Sequence, residues 1–306
     1  MYFNSVFAAH EIGLLSYLTL DFTEPPPLNC KLLISIFVAL LLSSCLAHRM
    51  GMYLSPVNSI TNTYHTIPLK SDSLKSAVYA SLLFSTGSAN DKGWDWIRAG
   101  QASIYRSHNL DKCQAYYGAN LSLGNYYLTD FYNSHYTTGQ PSLWGPGDNP
   151  IDTFYHIPGN RYFFGSYGLS AGINGVKSSG RREWRWLGIE ASIQKEFGSY
   201  YPFRNNLPDS AANIIFKNNL TGTIGIYTDA LWRNKYNTQY GFKFSLYMLV
   251  NSKTEYTMQN TYGIFPVTFF SMTFHATAKQ FTGFMQANFG TRAASFQIGT
   301  SFRLTK

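Results

Sequence analysis

The chain closes on FQIGTSFRLTK (residues 296–306), and the fold turns on how this stretch is read. In an extended strand successive side chains point to opposite faces. Phe296, Ile298, Thr300, Phe302 and Leu304 then share one face, and Gln297, Gly299, Ser301 and Arg303 share the other. One face is largely apolar, the other small and polar. Such a strand divides two media, and the apolar side meets either a protein core or lipid.

Composition bears on that choice. Of 306 residues only 13% are charged, while aromatics reach 17%, with 23 Tyr and 23 Phe. Soluble domains carry about a quarter charged residues. A barrel with an apolar outer band, aromatic girdles and a polar lumen needs the mixture seen here. A soluble lipocalin-like barrel, with its apolar face inward, is the rival fold.

The segment KLLISIFVALLLSSC (residues 31–45) points to export. Lys31 precedes a run from Leu32 to Leu42 that is apolar except for Ser35. That run is too short to span a bilayer as a helix but suits a signal-peptide core. Leu42-Ser43-Ser44-Cys45 resembles the lipobox of bacterial lipoproteins, which implies Cys45 as the acylated first residue of the mature chain. An uncleaved short anchor or a buried helix is the alternative. Residues 1–29 are acidic and Pro-rich, unlike a basic n-region, so translation is expected to start near residue 30. Removing 1–44 takes away Lys31 and three acids (Glu11, Asp21, Glu24), leaving 23 basic and 13 acidic residues. The basic residues are scattered and form no nucleic-acid-binding motif, so no nucleic acid is expected as a partner. Cys113 is then alone with the lipidated Cys45, and no disulfide framework arises.

Residues 46–75 are polar, Pro-punctuated and aperiodic, which reads as a tether; the barrel is expected over 76–306. From Ser76 onward the dominant period is two. Tyr240, Phe242, Phe244, Leu246 and Met248 alternate with Gly241, Lys243, Ser245 and Tyr247, and Leu187, Ile189, Ala191 and Ile193 with Gly188, Glu190, Ser192 and Gln194. The pattern predicts ten strands near 76–87, 95–107, 112–127, 161–175, 182–197, 219–232, 239–251, 263–277, 280–289 and 294–304. The first two alternate least cleanly, and Pro266 counts against regular pairing inside the eighth. The longer connections, 128–160, 198–218 and 252–262, are all odd-numbered. An N-terminus in the periplasm would send them outward, as outer-membrane barrels require.

Gln297-x-Gly299-x-x-Phe302-x-Leu304 resembles the C-terminal signal by which outer-membrane proteins are recognised by the barrel-assembly machinery, although Thr305 and Lys306 follow it. The chain as a whole resembles the small outer-membrane β-barrel proteins of Gram-negative bacteria. Its Tyr/Asn-rich, lipobox-bearing style looks like Bacteroidota. Surface-exported lipoproteins of that phylum carry acidic residues just after the lipidated cysteine, and Leu46-Ala47-His48-Arg49 has none. The resemblance therefore implies a lipid in the periplasmic leaflet, with outer-membrane lipid and the assembly machinery as partners.

The fold expected is thus all-β: an antiparallel transmembrane barrel of about ten strands in a Gram-negative outer membrane. Its lumen would hold Glu190, Asp229, Lys243 and Arg303, which either pair into a polar plug or line a narrow channel. Ten strands enclose little more than eight, a size that interior side chains can fill. No catalytic residue is assigned. The nearest approach to a nucleophile–base pair is His275 with Ser271 and Thr273 on one strand face, and no metal motif or cofactor motif appears. The loop at 129–160 carries Tyr132, Tyr136, Trp144 and Tyr155 among eight prolines and glycines. Aromatic faces suit a surface glycan or a protein partner, and the same rings could instead fold over the barrel mouth. The function expected is that of a monomeric surface or accessory membrane lipoprotein acting through its loops. A small-solute channel and a membrane-lipid enzyme are the alternatives.

Overall fold

The computed structural model describes residues 52–305 except 58–60, 72–73, 91–94, 136–152, 209–210, 212–213, 251–267 and 291–292. Cys45, Tyr136 and Trp144 therefore lie outside the described residues, as does Pro266.

Ten long strands close into one antiparallel barrel. In chain order the strands are β1 (Met52–Tyr53), β2 (Ser76–Asn90), β3 (Asp95–Asn109), β4 (Cys113–Leu128), β5 (Phe131–His135), β6 (Thr153–Ile157) and β7 (Asn160–Ser179). After these come β8 (Arg182–Phe197), the short helix α1 (Tyr200–Asn206), β9 (Ile214–Ile215), β10 (Leu220–Arg233) and β11 (Gln239–Leu249). The last three are β12 (Thr268–Ala278), β13 (Phe281–Gly290) and β14 (Ala293–Arg303). The barrel order is β10-β11-β12-β13-β14-β2-β3-β4-β7-β8, closed by β8 on β10. The ten segments expected from periodicity are the ten barrel strands. The eighth starts only at Thr268, beyond Pro266, so the proline breaks no described ladder.

The surface is inverted relative to a soluble barrel. Along β14, Phe296, Ile298 and Phe302 are 47%, 55% and 45% exposed, while Gln297 and Ser301 are 0% and 1%. The closing strand thus turns its apolar face outward, which excludes the lipocalin-like alternative. Around the wall, Leu82, Leu169, Ile189, Ile226, Leu246 and Met285 are likewise exposed. An apolar belt of this extent on a monomer needs an apolar solvent. Aromatic rings border it at both ends. Trp184, Trp186, Trp232, Phe281 and Phe302 are exposed near one rim, and Trp96, Phe163, Tyr167 and Phe197 near the other. Barrel closure matters for the same reason: an open edge in lipid would leave backbone groups unsatisfied at several kcal/mol each.

The strand that alternated poorly in sequence, β3, alternates without fault in space. Asp95, Ile97, Ala99 and Gln101 point inward, and Trp96, Arg98, Gly100 and Ala102 outward. The sequence pattern was obscured because Ile97 and Ala99 join an apolar cluster inside one mouth of the barrel.

The segment before the barrel is not a free tether over its described part. Residues 61–69 are buried or nearly so, inside the lumen. At one end Met52–Tyr53 pairs in parallel with Ile214–Ile215, in the connection between β8 and β10. At the other end the Lys70 N–H donates to Glu183 at 2.6 Å, beside the short β7–β8 turn. The segment therefore enters at the end of the long connections, runs the length of the barrel, and delivers Ser76 to β2 at the short-turn end. That direction separates two expectations joined above. The long connections and the start of the plug lie at the same end, so they face the same side of the membrane.

Candidate functional site

Inward-pointing polar side chains and the plug form a continuous hydrogen-bonded core. Glu190, at mid-strand in β8, accepts both oxygens' worth of contact from Lys243 Nζ at 3.0 Å each. It also accepts from the hydroxyls of Tyr116 and Tyr247. Lys243 lies over the Tyr227 ring at 4.0 Å. A carboxylate and an ammonium in a dry lumen remain charged only when paired and further hydrogen-bonded, and both conditions are met here.

A second knot ties the plug to the wall. Arg185 is fully buried; it donates to Asp229 at 2.9 Å, to Glu183 at 3.2 Å and to the plug's Ile67 carbonyl at 3.0 Å. Gln114 donates to the next carbonyl, that of Pro68. The Thr66 N–H donates to the Tyr105 hydroxyl at 2.7 Å, which meets Ser301 Oγ at 2.9 Å. Extended backbone inside a lumen carries donors and acceptors that must be paired, and wall side chains supply the partners. Rings fill the space between. His65 stacks on Tyr116 at 5.0 Å, and Tyr64 stacks on His275 at 4.0 Å.

A third knot closes the long-connection end. Arg204 of α1 grips Glu196 through two parallel bonds, of 2.9 and 3.2 Å, and Ser55 Oγ of the plug donates to the same carboxylate at 2.5 Å. Such forked pairs fix orientation as well as charge. Above them Tyr126 and Tyr200 stack at 4.0 Å within an apolar cluster that includes Tyr53, Ile157, Leu207 and Ile215.

Glu190, Asp229, Lys243 and Arg303 all point inward, but into different surroundings. Glu190 pairs with Lys243, and Asp229 with Arg185 and His275. Arg303 stands apart at the short-turn rim, where it borders a cavity. Gln297 is fully buried, Phe302 and Leu304 face outward, and Gly299 packs under Phe284 and Leu83. Tyr132 and Tyr155 lie in the two-stranded β5–β6 hairpin outside the barrel ladder. His275 does not meet Ser271 or Thr273 as a catalytic pair would. Its Nε2 is 3.4 Å from Asp229, Tyr64 covers its face, and Thr273 donates to Gln286 instead.

Arg185 escaped the sequence pattern for a physical reason. Trp186 and Leu187 are both exposed, a two-residue bulge that shifts the phase of β8 where its pairing with β7 slips between Gly175 and Val176. Strict alternation from Leu187 and Ile189 would place Arg185 in lipid; the bulge turns it inward. Tyr64 and His65 had no period to betray them.

No family model and no curated protein matches the chain. Among solved structures, the transport unit of the autotransporter AIDA-I from Escherichia coli is similar at 10% identity and a TM-score of 0.34, over 78% of this chain and 93% of that one. The β-domain of the Bordetella autotransporter BrkA aligns at 10% identity and 0.35, over 74% and 99%. The NanC porin aligns at 10% and 0.29, over 73% and 100%. The fold class rests on the molecule's own closure and inverted surface: the chain is a closed, ten-stranded antiparallel β-barrel of the outer-membrane type.

Proposed function

We propose that the protein is a self-plugged barrel of a Gram-negative outer membrane, working as a surface or accessory lipoprotein through its long connections rather than as an open pore. The observation that carries this reading is the plug. Residues 61–70 fill the lumen and are tied to opposite walls through Asn62, Thr66, Ile67 and Lys70. A solute would have to displace paired charges and bonded backbone together. Wide connections rich in rings gather at one end, the usual outer face of such barrels, and a surface glycan or protein is the partner class they suit.

The lipid anchor rests on the sequence, where Leu42-Ser43-Ser44-Cys45 resembles a lipobox and makes Cys45 the acylated residue. Liposome swelling tests the reading. Vesicles carrying the full chain should not admit small sugars above the protein-free rate, and steady sugar uptake would favour the channel alternative.

A further inference from the structure

The outer wall of the barrel changes character near the long-connection rim. Along β4 the outward positions run Leu121, Leu123, Asn125 and Tyr127, from apolar to polar toward that rim. The register sets Arg98 of β3 opposite Asn125, and Arg161 of β7 opposite Tyr127. Both arginines are exposed. Their guanidinium carbons lie 5.7 and 5.4 Å from the centre of the Tyr127 ring, and Arg161 Nε donates to Asn125 Oδ1 at 3.1 Å. Two cations thus converge on one ring at the border of the apolar belt, where long side chains lay their stems on apolar surface and hold the charge at headgroup level.

The described acids of this end are engaged elsewhere. Asp95 is buried and accepts from the Tyr126 hydroxyl and the Thr129 N–H. Glu196 holds Arg204, and Asp130 accepts from the Gly159 N–H and lies 3.8 Å from His156. Below Arg98 the next outward positions of β3 are Gly100 and Ala102. Beside them stand Phe84 and Leu82 on β2 and Leu123 and Leu121 on β4, all exposed. The spacing of strands puts these two walls about 10 Å apart, and a Cβ at Gly100 would meet the Leu83 carbonyl oxygen at 3.9 Å, an ordinary contact. The result is an apolar trough, wide enough for an acyl chain, that ends under a guanidinium.

We propose that this site holds a phosphorylated glycolipid of the outer leaflet, with its phosphate between Arg98 and Arg161 and an acyl chain in the trough at Gly100 and Ala102. The leaflet rests on the proposed function, in which the long connections face outward. Guanidinium forks match phosphate oxygens in shape, and Arg161 spends only its Nε on Asn125 among the described side chains. Trp96, directly opposite Tyr127, presents a 42% exposed ring to the face of a sugar, which favours a glycolipid over a simple phospholipid. Arg106 shows what an ordinary rim arginine looks like. It lies on the same face of β3 at the opposite rim, donates to Ser76 Oγ at 3.0 Å, and has Val78 and Tyr117 as its register neighbours.

Native mass spectrometry of the detergent-solubilised full chain, titrated with monophosphoryl lipid A, tests the proposal. One retained lipid per barrel is expected, weakened at least about tenfold in Arg98→Gln with Arg161→Gln and unchanged in Arg106→Gln. Gly100→Leu fills the trough without touching a charge and should weaken binding severalfold, so the test stands even if the double variant assembles poorly. Equal binding by wild type, the double variant and Gly100→Leu would overturn the proposal, as would an equal loss in Arg106→Gln. Displacement of the lipid A by an equal concentration of phosphatidylglycerol would overturn the choice of a glycolipid. The orientation is read separately, by labelling Asn205→Cys of α1 in a Cys113→Ser background with a membrane-impermeant maleimide on intact cells. Labelling supports an outward site; labelling only after permeabilisation would refute the outer leaflet and the outward long connections together, while the binding data still decide the lipid site.

Discussion

Arg185→Met removes the centre of the knot that holds the plug. The guanidinium is fully buried, bonded to Asp229 at 2.9 Å, Glu183 at 3.2 Å and the Ile67 carbonyl at 3.0 Å. Methionine fills much of the volume but leaves two carboxylates without their cation and a plug carbonyl without a donor. Breaking one buried ion pair costs about 3–5 kcal/mol, and an orphaned carbonyl about 1–3 kcal/mol. Water reaching the site from the nearby rim relieves part of this, so the net loss should be about 4 kcal/mol. Adding Glu183→Gln and Asp229→Asn removes the stranded charges and should recover most of the loss, since neutral replacements of buried ion pairs are often close to neutral in stability. The assay is urea unfolding in liposomes, followed by tryptophan fluorescence and gel mobility with linear extrapolation. A cost below about 1 kcal/mol is the value for a solvent-screened pair. Such a result would mean that Arg185 is bathed in water and that the lumen around it is not filled.

Three other perturbations read different parts of the structure. A Cβ at Gly241 would overlap the His275 ring, whereas one at Gly283 meets nothing within 4 Å; Gly241→Ala should cost about 1–3 kcal/mol and Gly283→Ala almost nothing in the same urea assay. Phe302 faces lipid opposite Phe281 on β13, so Phe302→Asp should cost about 2 kcal/mol and slow the appearance of the heat-modifiable folded band. Equal assembly of mutant and wild type would refute its role in closing the barrel. Cys45→Ala should abolish incorporation of labelled fatty acid, and unchanged labelling would dismiss the lipobox.

The barrel was legible because a wall between lipid and a polar interior enforces a period of two over whole strands. Phe296 to Leu304 and Tyr240 to Met248 carry that period almost without interruption. It weakened where the interior itself turns apolar, at Ile97 and Ala99, and it misled where the bulge at Trp186–Leu187 shifts the phase. The inward direction of Glu190, Asp229 and Lys243 could be read strand by strand, but not that Arg185 is the partner of Asp229. The plug was illegible for a different reason. Residues 61–70 are extended, belong to no sheet and bond mainly to wall side chains more than thirty residues away. No local pattern encodes such contacts. A polar aperiodic stretch looks the same whether it lies in solvent or in a polar lumen. Ser301 shows the same limit: it points inward but is 1% exposed and bonded to Tyr105, so an inward position is not thereby a tolerant one.

The most direct test of the plugged barrel is a cross-link between plug and wall in native membranes. Asn62 Nδ2 lies 3.4 Å from Thr223 Oγ1 of β10. In a Cys113→Ser background, Asn62→Cys with Thr223→Cys should be joined by a short thiol-specific reagent, detected as a linked peptide by mass spectrometry. Asn62→Cys paired with an outward cysteine at Ile224 should not be joined. Efficient linkage of the first pair alone is the result expected of a lumen filled by its own chain. Failure of that pair in folded protein, or equal linkage of both, would contradict it.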